Sequence, residues 1–305
     1  MNDSHMEAVA GALPQDALAR ESALKRYTTI KCGGPASLLL EARDEQEVAH
    51  ALKLARQHNI PTLIVGKGSN LLIDDHGFDG LVIHFGEQFA QVTLEGTTLT
   101  AQAGASLMAV SRLAADQALS GLEFAIGIPA SAGGAALMNC GAYGGEMSRV
   151  VTYVDCLSPE GEPVRLTRDE IGYGYRTSRM MREGYTVLSV TMELAPADFA
   201  DIRQRIDENQ AQRRERQPLT YPSAGSFFKR PAGHFAGALI EQAGLKGYRV
   251  GDAQVSELHA GFLINLGDAT ASDFLELVSH VQTTVEEMFG VRLEPEVRII
   301  RAPEA

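Results

Sequence analysis

Cysteine is scarce: Cys32, Cys140 and Cys156 are the only three in 305 residues, far apart and with no C-x-x-C pair among them. This argues against a disulfide framework or a zinc site and leaves small, reduced thiols, as expected of a cytoplasmic chain. An excess of positive charge is also missing. The formal net charge is −12, so the surface repels a nucleic-acid backbone, although a few converging Arg and Lys residues can still hold a phosphate-bearing small molecule. No apolar run approaches the roughly 18 uninterrupted residues that a membrane span needs. The N-terminus has no basic segment leading into an apolar stretch, so no secretory signal is expected. No internal repeat, P-loop or complete G-x-G-x-x-G motif occurs either.

What remains is ordinary globular material, 45% hydrophobic and 22% charged residues, in a chain long enough for two or three domain-sized units. Residues 1–24 are poorly patterned and read as an N-terminal extension. In the next unit, residues 25–90, an apolar strand over 37–41 leads to a helix capped by Asp44, with Glu47 as capping-box partner and Val48, Leu52 and Ala55 on one face. Buried strands follow at 61–66 and 80–85. In residues 91–200, a strand at 98–103 precedes a helix capped by Ser106 and stopped by Gly121. Residues 151–166 alternate around Pro159-Glu160-Gly161 as a hairpin does, and a strand at 186–194 closes the unit.

Residues 201–217 form a polar helix, read as a solvated connector that includes Arg213 and Arg214 and ends at Pro218. The last unit, within 201–305, holds a helix over 235–245 stopped by Gly247 and a strand at 261–266. A second helix opens with the Thr270–Asp273 capping box, carries Phe274, Val278, Val281, Val285 and Met288 on one face, and ends at Gly290. A final strand is expected over 292–300.

Two glycine-bearing segments carry the chemistry. Gly66-Lys67-Gly68-Ser69-Asn70 follows a strand directly, where successive backbone N–H groups can hold a phosphate; a tight turn without a ligand explains it equally well. The second runs from Gly127-Ile128-Pro129 through Ser131 and Gly133-Gly134 to Asn139-Cys140-Gly141-Ala142-Tyr143-Gly144-Gly145. Small residues at this density bury little apolar area, so backbone lying against a flat or charged ligand, such as a dinucleotide cofactor, is the expected reason. An irregular core crossover is the alternative.

These segments, in this order, resemble the PCMH/VAO-type FAD-binding superfamily and, within it, the UDP-N-acetylenolpyruvoylglucosamine reductase (MurB) family. Further matches are Tyr27-Thr28-Thr29-Ile30, Gly33-Gly34-Pro35-Ala36, Tyr175-Arg176-Thr177-Ser178, Gly225-Ser226-Phe227-Phe228-Lys229 and Leu293-Glu294-Pro295-Glu296-Val297. The short spacing from Arg176 to Thr186 leaves no room for an extra substrate-covering loop, so the chain resembles the shorter, loop-lacking type.

The resemblance implies an α+β fold: a two-part FAD-binding domain and a smaller C-terminal α/β substrate-binding domain whose last strand returns toward the flavin. It implies NADPH-dependent reduction of UDP-N-acetylglucosamine enolpyruvate to UDP-N-acetylmuramate in peptidoglycan precursor synthesis. The rival readings are a flavin oxidase of the same superfamily and a non-catalytic FAD-binding module. FAD would bind non-covalently, because Ser69-Asn70 stands where related oxidases carry an attachment histidine. Its expected contacts are Gly66, Lys67, Gly68, Ser69, Asn70, Gly127, Ile128, Pro129, Ser131, Gly133, Gly134, Asn139 and Gly141.

By the same resemblance Ser226 is the proton donor, Arg176 stabilises the enolate and Glu296 assists protonation. Glu294 lies two residues from Glu296, on the same face of the expected strand, so spacing alone does not choose between them; the motif favours Glu296. Tyr175, Lys229, Arg230 and Arg298 are the implied substrate contacts, with Arg230 standing where one family branch has Asn. His259, before a strand, reads as either a turn residue or a site residue. No metal, nucleic acid or membrane partner is expected, and the chain is read as a monomer.

Overall fold

In a computed structural model that describes residues 3–301, the chain divides into two units, each assembled from separate stretches. The first takes the chain up to Ala19, Leu38–Lys67 and Gly80–Arg213; the second takes Arg20–Ser37, Gly68–Asp79 and everything from Arg214 onward.

A four-stranded sheet runs in the order Leu18–Ala23, Pro35–Glu41, Phe78–His84, Thr62–Val65, the last two parallel, with Thr62–Val65 and most of Phe78–His84 and Pro35–Glu41 in the first unit. Helix Glu45–Gln57 buries Val48, Ala51, Leu52 and Ala55. Asp44 caps it as expected, its carboxylate accepting from Glu47 N–H at 2.8 Å. Glu47 does not complete the capping box. Its carboxylate accepts from the Arg43 backbone N–H at 3.0 Å and from the Arg43 guanidinium, because an arginine within reach offers a charge-assisted bond. The N-terminal stretch is ordered structure: helix Asp3–Ala12 buries Val9 and Ala10 completely in the core that helix Glu45–Gln57 also covers.

A five-stranded antiparallel sheet completes this unit, in the order Pro163–Thr167, Val151–Leu157, Thr186–Glu193, Thr98–Gln102, Val92–Glu95. Seven of the eight residues of Thr186–Glu193 are buried, as a central strand requires. Ser106 occupies the N-cap of helix Leu107–Asp116 without a side-chain capping bond, and the helix ends before left-handed Ala118 rather than at Gly121. Helix Phe199–Arg216 is mostly exposed and contains the boundary between the two units at Arg213, and it buries Ile202 and Ile206 against Ala115 and Ile126.

The second unit has its own core, in which helices Ala236–Gln242 and Ala271–Phe289 cover an antiparallel sheet ordered Ser223–Ser226, Phe262–Asn265, Ala253–Val255, Arg249–Val250. The Thr270–Asp273 capping box opens the long helix and left-handed Gly290 ends it. Its buried face is Phe274, Leu277, Val278, Val281 and Val285, whereas Met288 is exposed. The shorter helix ends at Gln242, before left-handed Gly244, not at Gly247. The final strand is Arg298–Ile300 alone, pairing in parallel with Leu71–Ile73, so Glu294 and Glu296 precede it in irregular chain. Burial pushes the Cys32 thiol up to about 12, helped by Asp75 and Asp273, and raises Cys156 to about 11; both are inert core residues.

Candidate active site

In the first unit, strand Thr62–Val65 ends at Gly66, where a Cβ would fall 2.2 Å from Ser131 Oγ. Glycine is therefore required by close approach. Lys67 beside it is exposed. Ser131 is buried at the N-cap of helix Ala132–Leu137 and accepts from Gly134 N–H at 3.3 Å. Part of the small-residue density has a packing cause. This helix buries Ala132, Gly133, Ala135 and Ala136, and a Cβ on Gly133 would meet Ala103 Cβ at 2.5 Å. The Ala132 and Gly133 N–H groups donate to Ala105 O at 2.8 Å and Ala103 O at 3.0 Å, so neither is left for a phosphate. Ile128 is half-buried, Pro129 and Gly134 are exposed, and a Cβ on Gly127 would press on the Arg213 side chain at 2.6 Å.

Arg213, expected on a solvated helix face, is half-buried here. Burial pulls its pKa down, partly offset by neighbouring Tyr143 and Cys140, and among the described residues no carboxylate pairs with it. A crowded guanidinium without a counter-ion suits an anionic ligand. A run of helical charges hides such a residue from sequence inspection.

After this helix the backbone is strained. Asn139, Tyr143 and Arg176 all take positive φ, at 47°, 50° and 54°. Tyr143 and Gly144 form the two-residue turn of a hairpin pairing Gly141–Ala142 with Gly145–Glu146, and a Cβ on Gly141 would meet Gly145 O at 2.6 Å. Buried Asn139 accepts from Ser148 N–H at 2.9 Å and donates to Gly174 O at 3.1 Å. The Arg176 guanidinium donates to Gly141 O at 3.0 Å and Asn139 O at 3.4 Å, and lies 5.3 Å from the ring centre of exposed Tyr175. Asn139, Gly141, Tyr175 and Arg176 thus form one bonded group.

The second unit gathers the remaining residues. Gly68 has φ +58°, and a Cβ there would fall 1.9 Å from Tyr27 O. Ser69 next to it is half-buried. Asn70 donates through Nδ2 to Glu296 O at 2.9 Å, while its own carbonyl accepts from Arg298 N–H at 3.0 Å. Ser226 ends strand Ser223–Ser226, exposed, after left-handed Gly225 and a bulge. Buried Phe227 and Phe228 anchor the next two positions.

The chain around Glu296 is stitched to this point. Glu296 N–H donates to Phe227 O and Lys229 N–H to Glu294 O, each at 2.8 Å, and Phe228 bridges Pro295. Ser226 and Glu296 therefore stand on neighbouring backbone segments. Glu294 instead faces Lys229 Nζ at 3.4 Å and is exposed, which separates the two glutamates where strand spacing did not. Arg230 lies over the Phe235 ring at 3.8 Å. Arg298 is reached by solvent, yet crowding by protein lowers its pKa, and no carboxylate pairs with it among the described residues.

Arg213 in the first unit and Arg298 in the second are each guanidiniums of a kind that suits an anionic group. No group of three or more His, Cys, Asp or Glu is placed to hold a metal ion among the described residues, and no described helix is long and apolar enough to cross a membrane.

Residues 36–167 match the model of an FAD binding domain, and residues 217–300 match that of the UDP-N-acetylenolpyruvoylglucosamine reductase C-terminal domain. A UDP-N-acetylenolpyruvoylglucosamine reductase from Clostridium perfringens is 47% identical over 92% of this chain and 92% of its own length. One from Latilactobacillus sakei is 49% identical over 91% of each. The crystal structure of UDP-N-acetylenolpyruvylglucosamine reductase (MurB) from Thermus caldophilus superposes with a TM-score of 0.79 at 38% identity, covering 93% of this chain and 98% of that one. Paired with a matching fold over nearly the whole chain, these identities establish that it belongs to the UDP-N-acetylenolpyruvoylglucosamine reductase (MurB) family.

Proposed function

We propose that this chain is an FAD-dependent reductase that uses NADPH to convert UDP-N-acetylglucosamine enolpyruvate to UDP-N-acetylmuramate, in cytoplasmic peptidoglycan precursor synthesis and as a monomer. When bound, FAD supplies the redox chemistry, carrying a hydride from NADPH to the enol ether double bond. The protein's own part is to manage the negative charge that develops beside the substrate carboxylate and to deliver a proton to the same carbon.

Arg176 is assigned the developing charge, which a guanidinium fork suits. Ser226 is assigned the proton transfer. A serine hydroxyl is a weak acid, so it needs a partner, and half-buried Glu296 fills that role. Gly66 to Asn70, Gly127 to Pro129, Ser131, Gly133, Gly134, Asn139 and Gly141 are assigned to the cofactor. Gly66 and Ser131 act by shape, and Gly133 by allowing the helix to pack. Tyr175, Lys229, Arg230 and Arg298 are assigned to the substrate, and Arg213 joins the anion-binding set.

The observation that carries this reading is the pair of backbone bonds holding Glu296 and Glu294 against Phe227 and Lys229, next to exposed Ser226. Ser226→Ala tests it in separated half-reactions under low oxygen. Reduction of the flavin by NADPH should stay near wild type, while reoxidation by the enolpyruvyl sugar slows about 10²–10⁴-fold. Equal loss in both half-reactions would overturn the role of Ser226.

A further inference from the structure

His259 lies outside the residues assigned above, yet its ring is built into the support beneath them. Nδ1 accepts the backbone N–H of Gly261 at 3.1 Å. An amide can only donate, so Nδ1 carries the lone pair and the neutral ring holds its proton on Nε2. The ring is confined: a Cβ on Gly261 would lie 2.9 Å from Cε1, one on Gly237 would lie 3.3 Å from it, and Phe262 meets the ring edge-on at 5.0 Å.

The peptide held this way continues toward the chemistry. Gly261 O accepts the N–H of Phe227 at 2.8 Å, and Phe227 O accepts the N–H of Glu296 at 2.8 Å. Ser226, directly before Phe227, pairs in register with Phe262, directly after Gly261. The imidazole thus braces, from the Gly261 N–H, a turn that is also closed by Phe262 N–H donating to His259 O at 2.9 Å, and the backbone positions of both Ser226 and Glu296 adjoin that turn.

We propose that His259, acting through the Gly261 and Phe227 peptides, is a positioning residue for the proton-delivery step. This rests on the roles proposed above for Ser226 and Glu296. Burial lowers the His259 pKa and keeps the ring neutral; the charged groups near it, Lys246 and Glu241, pair with each other at 2.6 Å. Protonation would place a hydrogen on Nδ1 facing the Gly261 N–H and break the link.

Two substitutions in the FAD-loaded full chain test this. His259→Asn offers an acceptor oxygen at about the reach of Nδ1, whereas His259→Phe keeps the ring and removes the acceptor. His259→Phe should slow reoxidation by UDP-N-acetylglucosamine enolpyruvate on the order of 10–100-fold, with NADPH reduction within about twofold of wild type. His259→Asn should restore most of the lost rate. Equal rates in the two variants, or parallel loss in both half-reactions, would overturn the proposal.

Should His259→Phe not fold, the pH profile of the substrate step decides. Wild type should lose rate on acidification as a group below the usual histidine value of about 6.5 titrates, and His259→Asn should lack that limb. Coinciding profiles would overturn the proposal. Wild-type protein that fails to reduce the sugar at all would instead sink the functional reading itself.

Discussion

Two regions, one in each unit, hold their residues in place by different means. The stretch from Ser131 to Arg176 uses strain and steric exclusion: three non-glycine residues sit in the left-handed region, and Gly133 and Gly141 leave no room for a Cβ. The stretch from Ser223 to Lys229, with 294–298, uses pairing. Its residues are set by sheet register and backbone bonds, and its one left-handed residue is Gly225, which tolerates that conformation. A strained loop keeps its shape only while the packing around it forces that shape, whereas a paired segment is stable in its own right. The first region should therefore gain stability when its strain is relieved, and the second should lose stability when its anchors are removed.

The largest effect should come from Phe227→Ala. Phe227 is fully buried and its carbonyl holds Glu296. Truncation should cost about 3–5 kcal/mol, measured by urea unfolding of the whole chain. A loss below about 1 kcal/mol, within the range of surface changes, would mean that the second region is not anchored by its pairing.

Asp75 gives a smaller effect with a pH signature. Its carboxylate accepts the Ala271 N–H at 2.7 Å and the Ser272 N–H at 2.8 Å, and so closes the start of the long helix from outside. Burial works against its ionisation, but the Ser272 hydroxyl and these two amides prevail and hold its pKa below the usual carboxylate value. A depressed folded pKa contributes stability above the unfolded value near 3.9 and loses it as pH falls through the folded pKa. Asp75→Ala should cost about 1 kcal/mol at neutral pH, and the difference from wild type should shrink in acid. A difference that is independent of pH would refute the assignment.

The smallest effect should have the opposite sign. Tyr143→Asn places at the first turn position the residue that two positive φ angles in succession favour. The melting temperature should rise by an amount equivalent to about 0.5–1 kcal/mol. A fall would mean that Tyr143 packing outweighs its backbone strain, and that this region, too, is held by contacts rather than by exclusion.

Much of the framework was legible in the sequence because its signals are local. Asp44 and the Thr270–Asp273 box mark helix starts where a side chain reaches an amide three residues ahead. The 151–166 hairpin follows from alternation around a turn. Local signals misled where a tertiary partner outcompeted them. The strand expected over 292–300 shrinks to Arg298–Ile300 because only those residues find Leu71–Ile73, and the helix expected to stop at Gly247 ends at Gln242. The N-terminal helix escaped notice because its short apolar face, Val9 and Ala10, has meaning only against a helix some forty residues on.

By itself the sequence determined most element types, the Asp44 and Thr270 helix starts, the Gly290 stop and, through its motifs, the family. Each of these depends on residues close together along the chain or on patterns that can be matched without coordinates. The tertiary structure alone decided that the chain interleaves into two units, that Glu294 faces Lys229 while the Glu296 backbone is held beside Phe227, and that Phe227 in turn is held by Gly261. Those outcomes rest on contacts between residues tens to hundreds of positions apart, which chain spacing does not encode and only packing brings together.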